Sequence, residues 1–552
     1  MPDPTVAAAA DPPPTASAPA AGRLDAVVVG AGFAGLYMLH RLRGLGFTAR
    51  VIEAGAGVGG TWYWNRYPGA RCDTETMGYS FGFDEALQQE WKWSERYATR
   101  AEICRYLDHV ADRFDLRRDV QLNTRVVSAT FNEATRLWTV TTDKGDVVTA
   151  SFCIMAAGNL STPRVPSFKG IHDFKGKWYH TGLWPHEGVD FTGLRVGVIG
   201  TGSSGVQLIP IVAQQAKHLT VFQRTANYSL PANNHPMSPE KEKAHKAEYT
   251  ARRKAAYDTP FGIAGFPPPT KSALEATEEE RRDAYTKKWA EGGSISLLYA
   301  YTDLLVNKDS NDTASEFVRE RIRSIVNDQR TAELLAPNDH PIGTKRLCLD
   351  TNYYQTYNRD NVTLIDVRSD PIAEITETGV RTRDTEYGPL DAIIFATGFD
   401  AMTGALLEID IRVENGAMLK DKWAGGPTTY LGLMVSGFPN LFIITGPGSP
   451  SVKTQMIVAI EQHMDWIADC LQAMRDAGKT RIEASEDAET KWVQHVNDVA
   501  DSTLYPLANS WYVGANIPGK PRVFMPYVGG FAGYKKTCDA IAAEGYKGFE
   551  MA

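Results

Sequence analysis

The chain has 552 residues, of which 43% are hydrophobic, and a formal net charge of −8 at pH 7. This length corresponds to three or four folding units, and the apolar content is typical of a soluble globular protein. The sequence has no basic block and no apolar run long enough to span a membrane. These features exclude nucleic-acid binding and membrane insertion from the expected functions.

The cysteines and the amino-terminal segment indicate the expected location of the protein. The six cysteines are Cys72, Cys104, Cys153, Cys348, Cys470 and Cys538. They form no Cys-x-x-Cys pair, so we expect neither a zinc site nor a redox dithiol, but free and mostly buried thiols in a reducing cytoplasm. Residues 1–22 are rich in Ala and Pro and lack a basic start. They predict a disordered tail rather than a signal peptide.

The first glycine motif follows an apolar β-branched run and precedes a helical pattern and a second strand ending at Glu53. Gly30 permits a tight turn, Gly32 lets backbone N–H groups approach a pyrophosphate, and Gly35 allows close packing of helix on strand. The Glu53 carboxylate accepts hydrogen bonds from ribose hydroxyls and repels a 2′-phosphate. This unit therefore predicts a site for FAD or NAD rather than NADP.

The second glycine motif, at residues 200–205, repeats this pattern without the acid. Its second strand ends at Gln223, and Arg224 and Thr225 stand where a carboxylate would be expected. A guanidinium and a hydroxyl suit a 2′-phosphate. This unit predicts an NADP site, which leaves the first unit for FAD.

The sequence thus predicts an α/β fold with two Rossmann-like dinucleotide-binding domains. An aromatic stretch, 174–186, lies between them, fits no helix or strand period, and predicts a structured connector around a single histidine. A charged helical insertion covers the NADP unit, and the buried strand 390–395 indicates the return to the FAD domain. The predicted ranges are a tail at 1–22, FAD domain at 23–160 and 390–552, linker at 161–190, NADP domain at 191–230 and 341–389, and insertion at 231–340.

Two adjacent cations, Lys345 and Arg346, enter a segment that resembles a strand. Neighbouring residues on a strand point to opposite faces, so one cation would face a phosphate and the other a reacting centre. An edge-strand pair in solvent explains the same pattern, and the local sequence leaves both readings open. Asp73, at the end of an aromatic loop, is read locally as a helix cap or a surface acid.

The aromatic stretch resembles the fingerprint F-x-G-x-x-x-H-x-x-x-W-P-[D/H] of type I Baeyer–Villiger monooxygenases. The matching positions are Phe174, Gly176, His180, Trp184, Pro185 and His186. A second family pattern runs from Gly60 and Trp62 to Asp73, and both glycine motifs flank the fingerprint in the family order. The resemblance covers residues 24–550 and is greatest to the phenylacetone and steroid monooxygenase branch.

This resemblance implies that NADPH reduces FAD, that O2 is captured as a C4a-peroxyflavin, and that a ketone is converted through a tetrahedral adduct to an ester or lactone. The implied partners are a ketone and O2, with sulfoxidation as a side activity and a monomer or weak oligomer as the expected state. Arg346 would stabilise the anions and Asp73 would hold it. His180 would act through the linker's conformation rather than by proton transfer.

The resemblance also implies the remaining site residues. The FAD site would comprise Gly30, Gly32, Phe33, Ala34, Gly35, Glu53, Gly60, Thr61, Trp62, Asp73, Tyr79 and Met456. The NADP site would comprise Gly200, Thr201, Gly202, Ser203, Ser204, Gly205, Gln207, Arg224, Thr225, Lys345, Arg346 and Trp511. The ketone pocket would comprise Ser451, Val452, Lys453 and Met456. Lys453 departs from the apolar residue found in related enzymes, so the substrate is the least transferable feature.

Two other functions are compatible with paired dinucleotide units. A flavin N- or S-oxygenase has a related fingerprint without its Trp-Pro ending, so Trp184 and Pro185 argue against it. A non-catalytic FAD- and NADPH-binding sensor would not need Asp73, Lys345 and Arg346.

Overall fold

The computed structural model describes residues 22–552, so the predicted tail lies outside the described residues except for Gly22. The strands are β1 Leu24–Val29, β2 Ala49–Ile52, β3 Val120–Gln121, β4 Val126–Asn132, β5 Leu137–Thr142, β6 Val147–Met155, β7 Lys177–His180, β8 Arg195–Ile199, β9 His218–Gln223, β10 Ser229–Pro231, β11 Cys348–Asp350, β12 Val362–Asp366, β13 Ile372–Ile375, β14 Val380–Thr382, β15 Glu386–Tyr387, β16 Ala392–Phe395, β17 Asp410–Val413, β18 Leu441–Ile443, β19 Ile482–Ala484 and β20 Phe549–Met551.

The helices alternate with these strands. They are α1 Phe33–Gly44, α2 Thr61–Trp64, α3 Glu85–Glu90, α4 Arg100–Arg113, α5 Ser203–Gln215, α6 Pro239–Ala247, α7 Tyr249–Tyr257, α8 Glu278–Glu291, α9 Lys308–Ile325, α10 Gln329–Leu335, α11 Tyr353–Thr356, α12 Gly404–Leu407, α13 Leu419–Lys422, α14 Met456–Asp476, α15 Glu486–Asp501 and α16 Phe531–Ala543.

The first sheet is built around β1, which pairs in parallel with β2 and β6. Its order is β17-β4-β5-β6-β1-β2-β3, and β18 also pairs with β6. Alternate residues of β1 enter different cores. Ala26 and Val28 pack into the core that holds α1 and α14, whereas Val27 and Val29 pack into a second core with Trp138. The strand is buried on both faces, as its continuous apolar sequence predicts.

The second sheet has the order β12-β9-β8-β16-β7, and all its pairings are parallel. Helix α5 connects β8 to β9, as α1 connects β1 to β2. The first sheet is mixed, since β5 pairs antiparallel with β4 and β6, but its strands around β1 are parallel. Two such sheets, each with a glycine turn between its first strand and first helix, confirm the predicted fold class.

Two details differ from the sequence-based expectation. The connector contains an edge strand, β7, that pairs in parallel with β16 so that His180 lies opposite Phe395. Four residues are too few to reveal a strand period. Strand β16 itself lies in the second sheet, so a domain boundary at 390 is wrong at this point. A fully buried strand carries no periodicity that could specify which sheet it joins.

The helical insertion contacts the first domain as well as the second. Arg253 on α7 donates to the carbonyl oxygen of Gly78 at 2.9 Å, and the Ser294 hydroxyl donates to the carbonyl oxygen of Asp73 at 3.1 Å. Its charged helix α8 begins with a capping box formed by Thr277 and Glu280. The insertion therefore holds the segment that carries Asp73.

The state of the cysteines and the character of the helices agree with the expectations from composition. All six cysteines are free, and only Cys104 is partly exposed. No helix within residues 22–552 has both the length and the apolar character required to cross a bilayer.

Trp138 provides a test of the second core. Its indole is fully buried and donates to the carbonyl oxygen of Pro439 at 3.0 Å. We expect Trp138→Phe to lower the free energy of unfolding by about 1–3 kcal/mol, because the carbonyl loses its partner in a buried site. The thermal midpoint of the purified protein measures this loss. Val147→Ala, at a side chain that is 59% exposed, is the control and should leave the midpoint unchanged. Equal midpoints for both variants would show that the hydrogen bond from Trp138 to Pro439 does not stabilise the second core.

Candidate active site

A cavity of about 1490 Å³ lies where the two glycine motifs meet. It extends from the first motif, at residues 30–34, to the second, at residues 200–204. The carboxyl ends of parallel strands in open α/β sheets form such ligand-binding crevices. The fold therefore brings both predicted dinucleotide sites to one cavity.

At the first motif, backbone contacts require glycine. A Cβ atom on Gly35 would lie 1.8 Å from the carbonyl oxygen of Gly30, which agrees with its expected role in helix–strand packing. The Glu53 carboxylate is 5% exposed and lines the cavity. It accepts from the backbone N–H groups of Ala31 and Gly55, each at 2.7 Å. These bonds fix the carboxylate at the strand end, where a ribose would reach it.

At the second motif, Gly202 precedes α5 and lines the cavity. A Cβ atom there would meet no atom within 4 Å, so the glycine opens space directly before a helix N-terminus. Such a space suits a phosphate. The Thr201 hydroxyl donates to the carbonyl oxygen of Thr225 at 3.0 Å, which joins the motif to the end of β9.

Cations line the cavity near this end. Arg224 and Lys345 both contribute to its wall. Burial lowers the pKa of the Lys345 amine, the Asp339 carboxylate opposes this shift, and Arg224 adds to it. Asp339 also lies 3.5 Å from the guanidinium of Arg368. A phosphate dianion would relieve the repulsion among these cations, so the residues present fit a 2′-phosphate.

Arg346 and Asp73 form a bidentate ion pair in the wall of the same cavity. The Arg346 Nε donates to Asp73 Oδ2 at 2.7 Å and Nη2 donates to Oδ1 at 2.6 Å. Nη1 donates to the carbonyl oxygen of Val452 at 2.7 Å. Burial alone would lower the pKa of Arg346, but the adjacent carboxylate outweighs burial and raises this pKa above its ordinary value. The guanidinium is therefore a fixed cation.

His180 lies outside the cavity and joins three segments. Its Nδ1 accepts from the backbone N–H of Gly182 at 3.0 Å. Its Nε2 lies 3.2 Å from the hydroxyl of Thr397, which donates to the carbonyl oxygen of Arg164 at 2.8 Å. The imidazole therefore donates from Nε2 and is neutral, and burial lowers its pKa to about 4. These contacts support the expectation that His180 acts through the conformation of the linker.

The structure brings most of the predicted site residues to the cavity. Those that line it are Gly30, Gly32, Phe33, Ala34, Glu53, Gly60, Thr61, Trp62, Asp73, Tyr79, Gly200, Thr201, Gly202, Ser203, Ser204, Gln207, Arg224, Thr225, Lys345, Arg346, Val452, Met456 and Trp511.

The other predicted residues lie elsewhere. Gly35 and Gly205 pack against backbone, and the six fingerprint residues lie outside the cavity, in the segment around β7. Ser451 is fully buried, and Lys453 lines a separate small cavity. Lys345 and Arg346 precede β11 rather than lying on a strand, so the alternation argument does not apply to them.

Sequence reasoning missed three contacts at the site, although it named Val452 as a pocket residue. The Val452 carbonyl binds Arg346, the Ser294 hydroxyl binds the backbone of Asp73, and Asp339 lies among the cations. The first two contacts involve a backbone oxygen, which carries no residue-specific signal. An acid next to a histidine, as in Asp339-His340, has many structural explanations.

Comparisons with known proteins agree with this geometry. The model of the pyridine nucleotide-disulphide oxidoreductase family matches residues 27–257. A Baeyer-Villiger monooxygenase from Pseudooceanicola batsensis is 44% identical over 95% of each chain. The structure of an oxidized steroid monooxygenase bound to NADP superposes with a TM-score of 0.91 at 52% identity, covering 96% of this chain and 99% of the other. A phenazine N-monooxygenase from Lysobacter antibioticus is 39% identical over 95% of this chain and 96% of its own.

The Asp73–Arg346 pair gives a testable stability effect. We expect Asp73→Asn to lower the free energy of unfolding by about 1.5–3 kcal/mol, because it leaves a largely buried guanidinium without its counter-charge. Asp384→Asn is the matched control, since Asp384 pairs with Arg383 in an exposed position. This exposed substitution should leave the free energy of unfolding nearly unchanged. Thermal midpoints measure both, and an equally small loss for Asp73→Asn would show that the pair does not restrain Arg346.

Proposed function

Because the chain belongs to the Baeyer–Villiger monooxygenase family, we propose that it oxidises ketones to esters or lactones with NADPH and O2. One observation carries this proposal: the Asp73–Arg346 pair lines the cavity in which the two glycine motifs meet. A carbonyl bound there would lie beside a permanent cation and between two dinucleotide sites.

We assign FAD to the first motif. The glycines at 30 and 32 would receive its pyrophosphate at the N-terminus of α1, and Glu53 would bind its ribose. Met456 begins helix α14 and lines the same cavity, so the helix N-terminus would contact the flavin end. When bound, FAD supplies the electron-transfer and oxygen-activating chemistry that side chains lack.

We assign NADPH to the second motif. Gly200 and Gly202 would receive the pyrophosphate at the N-terminus of α5, with Arg224, Thr225 and Lys345 around the 2′-phosphate. Trp511 lines the cavity beyond this site and would contact the nicotinamide side.

Arg346 would stabilise negative charge on oxygen. Attack on the ketone carbon converts the carbonyl oxygen to an anion, and a preorganised cation lowers the free energy of that state. At about 4 Å and an effective dielectric of about 20, such a pair gains about 4 kcal/mol. Of the five N–H groups of arginine, three are used by Asp73 and Val452, which leaves two for a ligand.

Asp73 would set the direction of the Arg346 side chain. Its carboxylate holds Nε and Nη2, which fixes the plane of the guanidinium. We further propose that the linker and the helical insertion exclude water from this site, since the insertion bonds to the backbone of Asp73. The free thiols fit a cytoplasmic location. We also propose that the protein is a monomer or weak oligomer, and that it oxidises sulfides to sulfoxides as a side activity.

N-oxygenation is the second candidate function. The similarity to a phenazine N-monooxygenase favours it, since that relative spans nearly all of the chain. Oxygen transfer to a neutral amine nitrogen forms no anionic adduct of the substrate. A fixed cation such as Arg346 therefore has no evident role in N-oxygenation, in contrast to ketone oxidation.

Product analysis separates the two reactions. The purified FAD-loaded enzyme is incubated aerobically with NADPH and a panel of ketones, sulfides and heteroaromatic amines, and the products are identified by mass spectrometry. We expect esters or lactones from ketones, and at least about 100-fold less in Arg346→Ala. The exposed Arg383→Ala is the control. N-oxides with no ester from any ketone would overturn the proposal in favour of the second candidate.

The coenzyme assignment has its own test. We expect Arg224→Ala to raise the KM for NADPH about tenfold or more and to leave the KM for NADH unchanged, because only NADPH carries the 2′-phosphate. The exposed Arg330→Ala serves as the control. If the ratio of the two KM values does not change in Arg224→Ala, this arginine does not bind the 2′-phosphate.

A further inference from the structure

A second, smaller cavity of about 50 Å³ is also lined by Arg346. Thr74, Lys345, Arg346 and Val452 line both it and the large cavity. The hydrogen bond between Arg346 and the Val452 carbonyl oxygen therefore belongs to the wall between them. A group in the small cavity would lie immediately beside the proposed reaction centre.

Lys453 is one of the residues that line this small cavity, and its amine contacts the carbonyl oxygen of Gly343, another lining residue. The amine lies 4.2 Å from the ring centroid of Tyr505 and 5.0 Å from that of Tyr512, and both rings are buried. Its hydrogen-bond acceptor is the Gly343 carbonyl oxygen at 3.5 Å, and no carboxylate within residues 22–552 forms an ion pair with it. An ammonium offers three donors, so most of its hydrogen-bonding capacity is unused.

The charge of this amine is costly in its present surroundings. Burial lowers the pKa of Lys453 well below its ordinary value, and the positive charge of Arg346 lowers it further. The two aromatic faces offer only partial compensation. An anion beside the amine would favour its charged form and would also be attracted by Arg346.

The wall of the small cavity is largely apolar. It includes Phe261, Ile295 and Leu298 of the helical insertion. Thr454 also belongs to this wall, but its hydroxyl is buried and has no hydrogen-bond partner among the described residues. A lysine amine in a largely apolar wall suits a carboxylate on a short carbon chain.

We propose that this cavity binds a carboxylate of the substrate through Lys453, so that the enzyme acts on keto acids. The carbonyl would lie at Arg346 in the large cavity, and the carboxylate would lie behind it. This inference rests on the proposed ketone oxidation. In this proposal Lys453 selects substrates that carry a carboxylate, which an apolar residue at the same position could not do.

The test compares keto acids with their methyl esters, which have the same carbon skeleton and no charge. For the wild type we expect kcat/KM for the acid to exceed that for the ester at least about tenfold. Lys453→Met, which keeps the length of the side chain without its charge, should abolish this preference. Lys453→Arg should retain most of it, and the exposed Lys420→Met should leave it unchanged. Equal preference in the wild type and Lys453→Met would overturn the proposal.

A binding measurement separates this inference from the proposed function. Butyrate should raise the thermal midpoint of the FAD-loaded wild type, but not that of Lys453→Met. If no ketone gives an ester and butyrate still stabilises only the wild type, the ketone oxidation fails while the carboxylate site stands. If butyrate stabilises the wild type but keto acids are not preferred, the cavity takes free carboxylates and the substrate assignment is overturned.

Discussion

The bidentate pair between Asp73 and Arg346 connects segments that are 273 positions apart in the chain. Asp73 is held from the helical insertion by Ser294, and Arg346 is held by the Val452 carbonyl in the loop before α14. The position of the cation therefore depends on the first domain, the insertion and the carboxyl-terminal part of the chain together. The other two N–H groups of the guanidinium have no hydrogen-bond partner among residues 22–552, and their direction depends on the same arrangement.

The neutral histidine of the linker contributes to that arrangement without taking part in proton transfer. His180 lies on the edge strand of the second sheet and bonds through Thr397 to the segment that leaves the first sheet. A buried imidazole with both nitrogens bonded transmits position rather than charge. The fingerprint thus marks the junction between the two dinucleotide units, while the Asp73–Arg346 pair comes from the loop ending at Asp73 and from the segment before β11.

Much of the fold and of the site could be predicted because short, local sequence patterns indicate them. The glycine turns, Glu53 and Arg224 follow strands directly, and each has a physical role in its own unit. The pairing of Arg346 with Asp73 came from resemblance alone, since no local pattern joins residues so distant. Strand β16 was assigned to the wrong sheet because a continuous apolar run does not specify its partners. Lys453 is expected in the ketone pocket, but the structure places it at the small cavity that Arg346 also lines, with its amine packed on Tyr505 and Tyr512.

The fate of oxygen and reducing equivalents tests the role of the held cation most directly. Turnover under 18O-labelled O2, with ester, hydrogen peroxide and NADPH measured together, reports how much of the consumed NADPH ends in oxygen insertion. The wild type should place one labelled oxygen in each ester and form little peroxide. Arg346→Ala should still consume NADPH, but release the oxygen as peroxide, because the oxyanion loses its stabilising charge. Labelled ester from Arg346→Ala at the wild-type yield, or ester oxygen derived from water, would contradict this role.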